Sequence, residues 1–462
     1  MDANGITGLV IQSLRTGAWL TRERMHLIAR AVLAASALGL LFVAATSDGR
    51  NDYQGRPLGT DFANVYVAGT WVLDGHPEAP FNLAKQYARA KAIFGADTPA
   101  YGWHYPPFFL FIAGALALMP YWLALLVWQG ATLALYVWAM RMLVAAFIPP
   151  LKGEGVRSRE QADGWGQAAS MQTPPGSSLR EEPPSPFRGG ISEPLWLLLV
   201  LAFPAVFVNI GHGHNGFLTA ALLTSALVLL DRRPVLAGIL FGLLAYKPQF
   251  GLMIPLVLVA TGRWRTCAAA AATVAALAAV TTFVFGIDVW RAALASTAFT
   301  REVVLEEGNI GWHKIQSAFS WVRMWGGGVP LAYAAQGVAS AAIAGLLVWL
   351  WRSEAAFPLK AAALCIATIV ATPYSLDYDL VVIAPAIAFF TLHGLSHGFA
   401  PYEKSTLALV WFMPLIARTV AETAMIPLGV IALLALLALI LRRAAAAMRM
   451  SAKGGPVADL AR

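Results

Sequence analysis

Across 462 residues, 58% of the side chains are hydrophobic and 13% charged, about half the charged share of roughly 25% found in soluble domains. The formal net charge of +8 forms no basic stripe with interleaved aromatics, and the two cysteines, Cys267 and Cys365, lie inside apolar runs. These features exclude a nucleic-acid binder, a disulfide framework and a thiolate metal site, leaving an all-α polytopic membrane protein, since helices satisfy their own backbone in lipid.

The first apolar run, residues 27–45, follows Arg15, Arg22, Arg24 and Arg30. Basic residues ahead of a span favour the cytoplasm, so residues 1–27 are expected inside and the run acts as a signal anchor. Cleavage near Ala44-Ala45-Thr46 is disfavoured, because the run is longer than a usual signal core. Residues 47–105 then form a long outer loop with nearly balanced charge and ample Gly and Pro. Within it, 62–73 and 83–94 have apolar spacing that suits helices lying on the membrane interface.

Further spans are expected at 106–119, 122–148, 194–210, 215–230, 234–260, 266–286, 330–351, 359–372, 378–394, 404–418 and 423–441. The total is about 11–13 spans at the usual helix length. Lys247-Pro248-Gln249 interrupts the 234–260 run, leaving one broken helix or two short ones. Residues 149–193 are rich in Gly, Ser, Pro and mixed charge without periodicity, as in a disordered linker joining 28–148 to the 194–441 bundle. A basic cytoplasmic tail is expected at 442–462. No internal repeat is visible, which weakens a transporter built from two related halves.

Assigning sides produces a conflict. Arg232-Arg233, Arg263, Arg265, Arg352 and Arg442-Arg443 all favour the cytoplasm, which puts HGHN (212–215) and SLDYD (375–379) on the same face as Asp61. Two full crossings between Tyr105 and Pro149 would instead reverse the next spans. The 106–119 run is therefore re-entrant, or HGHN lies on the other side.

Polar residues at span ends or inside apolar runs mark the candidate site, because ionisable groups there face a cavity or a partner rather than lipid. They are Asp61, His104-Tyr105, His212, His214-Asn215, Lys247 with Gln249, Trp312-His313-Lys314, Tyr374 and Asp377-Tyr378-Asp379. Plainer roles compete. Asp61 has about even odds of being only the N-cap of a helix starting at Phe62, and the two loop histidines lack a nearby carboxylate for metal binding. Aromatics at span ends often form only the interfacial belt. Lys247 is the hardest to dismiss, since it must meet an anion or snorkel outward.

The succession DFxxxYxAGxxxLxG (61–75), HYPP (104–107), HGHNGFL (212–218), GLLAYKPQ (242–249) and TPYSLDYDL (372–380) resembles glycosyltransferase family 87, which includes polyprenol-phosphate-mannose-dependent mannosyltransferases of the GT-C fold. HGHN departs from a GQ-type dipeptide, and 149–193 reads as an insertion. The resemblance implies an outward-facing site and a sugar donated from a polyprenyl phosphate. It also implies that an acid of the first outer loop, matched by Asp61, acts as base. Inverting transfer needs one carboxylate to take the acceptor's proton while the phosphate leaves from the opposite face. Cationic groups stabilise that phosphate, and Lys247, His313, Lys314 and His104 are the candidates. Tyr105, His214, Asn215, Gln249, Tyr374, Asp377, Tyr378 and Asp379 are expected around the sugar and acceptor, with no metal and no cofactor.

The expected protein is thus an inverting hexosyltransferase of a bacterial inner membrane, using a lipid-linked sugar, which the resemblance implies is mannose, and a lipid or glycan acceptor. Two alternatives remain: a secondary transporter, which would hold its charges near the midplane, and a lipid-linked glycan ligase or polymerase relying on outer-loop arginines such as Arg291, Arg301 and Arg323.

Overall fold

The computed structural model describes residues 3–100, 102–147 and 193–452. Almost all of the expected 149–193 linker, and the tail from 453 onward, lie outside the described residues. The helices run in order α1 (Ala3–Thr16), α2 (Arg22–Ala45), α3 (Thr60–Leu73), α4 (Leu83–Phe94), α5 (Leu110–Ala117), α6 (Tyr121–Phe147), α7 (Glu193–Leu201), α8 (Pro204–His212) and α9 (Gly216–Leu229). They continue as α10 (Pro234–Leu243), α11 (Met253–Ala260), α12 (Trp264–Phe285), α13 (Asp288–Phe299), α14 (Ala318–Met324), α15 (Val329–Arg352), α16 (Phe357–Val370), α17 (Ile383–His397), α18 (Glu403–Ala424) and α19 (Leu428–Ala452). Among the described residues, eight helical segments are long and apolar enough to cross a membrane, and other expected spans fall on shorter apolar helices such as α9 and α16. The protein is an all-α polytopic membrane protein.

The helix expected on the interface at 62–73 is instead packed inside. Phe62, Ala63, Val65, Val67 and Ala68 of α3 are buried. Its sequence TDFANVYVAGTWVL is apolar on nearly every side, and a helix apolar all round belongs in a core rather than at a surface. Its partner is α5: a Cβ at Gly69 would stand 2.1 Å from the Ala113 carbonyl oxygen, so glycine sets the approach of the two helices. Gly69→Ala is expected to push them apart and cost about 1–3 kcal/mol of stability, read as a lower Tm in detergent. An unchanged Tm would show that α5 moves freely. The helix expected at 83–94 does lie at the surface, with Gln86, Ala90 and Phe94 turned inward. Arg89 ties it to α3 through Asp74 at 2.7 Å and through its stacking over Trp71.

The short elements resolve the conflict over sides. With eight residues, α5 is about 12 Å long, far short of a hydrocarbon core about 30 Å thick. The chain returns at once to the Asp61 end, where the Tyr66 hydroxyl donates to the Met119 carbonyl at 3.0 Å and the Tyr121 hydroxyl to that of Leu58. Both ends of the 106–119 run thus lie at the Asp61 end of the bundle, the arrangement that the re-entrant alternative expects. α6 then makes one long crossing, and α7 with α8 brings HGHN back beside Asp61.

The 234–260 run also turns back on itself. Asp231 and Arg263, at its two ends, are joined at 2.5 Å. α10 and α11 are thus two half-helices of a hairpin whose tip is Lys247. The connections rich in arginine gather at the other end. There Arg442 donates to the Pro401 carbonyl, the Tyr402 amide donates to that of Arg15, and the Trp19 indole donates to Ser405.

Candidate active site

Asp61 sits in the first turn of α3, one residue beyond the helix start at Thr60. The N-cap is Gly59, whose φ of 63° is a left-handed conformation that suits glycine, so Asp61 is not the cap. Its side chain is 27% exposed, with Oδ2 the enclosed oxygen. The same oxygen lies 3.4 Å from His212 Nδ1, which is also 3.0 Å from the Thr60 hydroxyl.

His212 closes α8, and Gly213 carries the chain out of the helix in a left-handed turn. Three side chains clamp that turn: the Trp128 indole donates to the Gly213 carbonyl, and the Gln129 and Asn209 amides donate to that of His214. The His214 ring stacks on Tyr378 with centroids 3.6 Å apart, and its Nε2 is 3.3 Å from the Tyr105 hydroxyl. Asn215 is buried with both polar atoms of its amide unpartnered.

Lys247 meets its anion within the protein. Its ammonium is buried against Asp379, whose other oxygen accepts the Leu376 amide. Gln249, in the turn Pro248–Gly251, is half-buried, and no described hydrogen bond joins it to the cluster. Asp377 lies 3.8 Å from Arg418 of α18, a residue that the motifs did not reveal. The turn Trp312–Lys314 is fastened beside the SLDYD motif by a bridge between Ile315 and Leu376 and by the Gln316 amide donating to Ser375. That fastening puts Lys314 within electrostatic reach of Arg418, Asp377 and Asp61, and His313 near Glu422 and Arg418.

Outside the spans, the ionisation states follow from burial. Enclosure pushes the His104 pKa down to about 4 against the opposing pull of Asp61, so the ring is neutral and can donate and accept. His104 faces Tyr374 edge-on with ring centroids 6.4 Å apart. Burial also lowers the pKa of His313 and that of Lys314, the latter with help from Arg418. Among the described residues, no three His, Cys, Asp or Glu side chains converge as a metal site.

The motifs therefore meet at one end of the bundle, opposite the arginine-rich end. Charges gathered at an end rather than at mid-depth favour a transferase over a transporter. The three outer-loop arginines are engaged in their own loop: Arg291 with Asp288, Arg301 with Glu302 and Glu306, and Arg323 with the Glu306 and Gly327 carbonyls. Residues 103–373 match the family model for glycosyltransferase family 87.

The chain belongs to glycosyltransferase family 87. This makes it a membrane glycosyltransferase. The matched segment takes in His104, Tyr105, HGHN, Lys247, His313 and Lys314, while Asp61 and Asp377–Asp379 lie beyond it and join it through the contacts above. No curated protein and no solved structure matches the chain. Sequence reasoning missed Gln129, Asn209 and Arg418 as site residues. The signal that could have found them is the one used for Lys247, a polar side chain inside an apolar helix.

Proposed function

We propose that this family 87 enzyme transfers a hexose, mannose by family resemblance, with inversion from a polyprenyl phosphate to a hydroxyl of a lipid or glycan acceptor. Asp61 is the base. The observation that carries this reading is the Asp61 carboxylate itself, partly open to solvent and held 3.4 Å from His212 among the converged motifs. An acceptor hydroxyl donating to the open oxygen of this carboxylate would lose its proton there as it attacks the sugar's anomeric carbon and the phosphate leaves.

The leaving phosphate needs cations that it can reach. Lys314 and Arg418, beside Asp377 and partly open to solvent, fit that role, with His313 adjacent. Lys247, paired with Asp379, then holds the floor of the site in place rather than gripping phosphate. Tyr105, His214, Tyr374 and Tyr378 supply ring faces and hydroxyls for the sugar. His104 and Asn215 offer neutral polar groups.

The site end faces the periplasm of a bacterial inner membrane in this proposal. The arginine pairs at the opposite end support that orientation. The test offers the protein, in sealed membranes, radiolabelled polyprenyl-phosphate-mannose or radiolabelled GDP-mannose, each with and without EDTA. Label is expected to leave the lipid phosphate alone and at the same rate in EDTA. Transfer from the nucleotide sugar instead would overturn the donor assignment, and loss of transfer in EDTA would overturn metal-independent chemistry.

A further inference from the structure

A cleft of about 510 Å³ opens between the start of α4 and the face of α13, with Gly102, Trp103 and His104 as its floor. That volume is within the roughly 300–1,000 Å³ of small-molecule sites. The floor is tied to the helix of the base. The Asn64 amide, three residues past Asp61, donates to the Gly102 carbonyl at 2.7 Å, and Gln86 in turn donates to Asn64 at 2.7 Å. His104 belongs to both places, lining the cleft and facing Tyr374 beside the Asp61 cluster.

Trp103 shows what the cleft lacks. It is only 2% exposed, and its indole N–H has no acceptor in the protein. A buried indole normally finds a hydrogen-bond partner. An unpaired indole N–H at the base of the cleft suits a hydroxyl oxygen, which could accept it. The walls mix polar Glu78, Asn82 and Lys85 with apolar Phe81, Leu83 and Ala295, a lining that suits the hydroxyls and C–H faces of a sugar ring. The cations near Asp377 lie on other elements, the Trp312–Lys314 turn and α18.

We propose that this cleft binds the saccharide end of the acceptor and delivers its hydroxyl past His104 to Asp61. The assignment deepens the transferase reading and rests on it for the word acceptor. The cleft's occupant is a hexoside, and the donor phosphate binds on the Lys314 and Arg418 side.

A binding experiment tests this without requiring turnover. Ala295→Cys is placed in the full chain with Cys267→Ser, reconstituted in nanodiscs, and labelled with a water-soluble maleimide. Octyl α-mannoside is expected to slow labelling about tenfold at ten times its Kd, and polyprenyl phosphate to leave it unchanged. Trp103→Phe, which keeps the ring and removes the N–H, is expected to raise that Kd about three- to tenfold. Protection by polyprenyl phosphate but not by hexoside would overturn the proposal in favour of a donor-lipid groove. Absence of protection by either would overturn it as a ligand site. Should hexoside protect while no lipid-phosphate sugar is transferred, the donor assignment fails and the saccharide site stands.

Discussion

Asp61→Asn is expected to slow sugar transfer by about 10²- to 10⁴-fold, the range for losing a positioned general base, with the donor's KM and the protein's Tm close to wild type. The amide keeps the shape of the carboxylate in the first turn of α3 and leaves the Gly59 cap intact. His212 keeps a partner in the Thr60 hydroxyl, so the neighbouring turn is not released. What is lost is the carboxylate as a proton acceptor beside His212. The measurement is kcat and donor KM with labelled polyprenyl-phosphate-mannose. Transfer at the wild-type rate would remove Asp61 from the chemistry, and a risen KM with unchanged kcat would make it a binding residue instead.

The second large effect is on stability. Lys247→Met is expected to cost about 3–5 kcal/mol, because it strands the Asp379 carboxylate in a buried position. Both side chains are almost fully enclosed, at 4% and 2% exposure. The double variant Lys247→Met/Asp379→Asn removes both charges while retaining an acceptor for the Leu376 amide, and it is expected to recover most of the loss. Non-additivity of this size is the signature of direct coupling between neighbours. Thermal unfolding of Lys247→Met, Asp379→Asn and the double variant in one detergent measures it. Equal stability of Lys247→Met and wild type would mean that water reaches the pair.

Composition alone made the membrane class legible, and the polar motifs at span ends marked the right region. Asp61, HGHN, Lys247 and SLDYD are scattered over more than three hundred residues, yet each broke an apolar pattern, and the fold brings them to one end. Hydropathy could not say that 234–260 is a hairpin, because a bent crossing and two half-helices have the same apolar content; the Asp231 to Arg263 contact decides it. Nor could it place α3 in the core, since an apolar helix with polar residues at its ends suits the interface and the interior equally. Gln129 and Asn209 escaped notice because each is a single amide within an apolar run, where it leaves the average hydropathy almost unchanged. Their role appears only through the carbonyl of His214.

The hairpin tip also sets a timetable for biogenesis. Lys247 and Asp379 are 132 residues apart, an interval that a ribosome covers in roughly 7–26 s at 5–20 residues per second. Throughout that time the nascent hairpin carries a lysine whose carboxylate does not yet exist. Assembly of this bundle therefore cannot run strictly in the order of synthesis: an early hairpin must wait, unfinished, for a helix that leaves the ribosome much later.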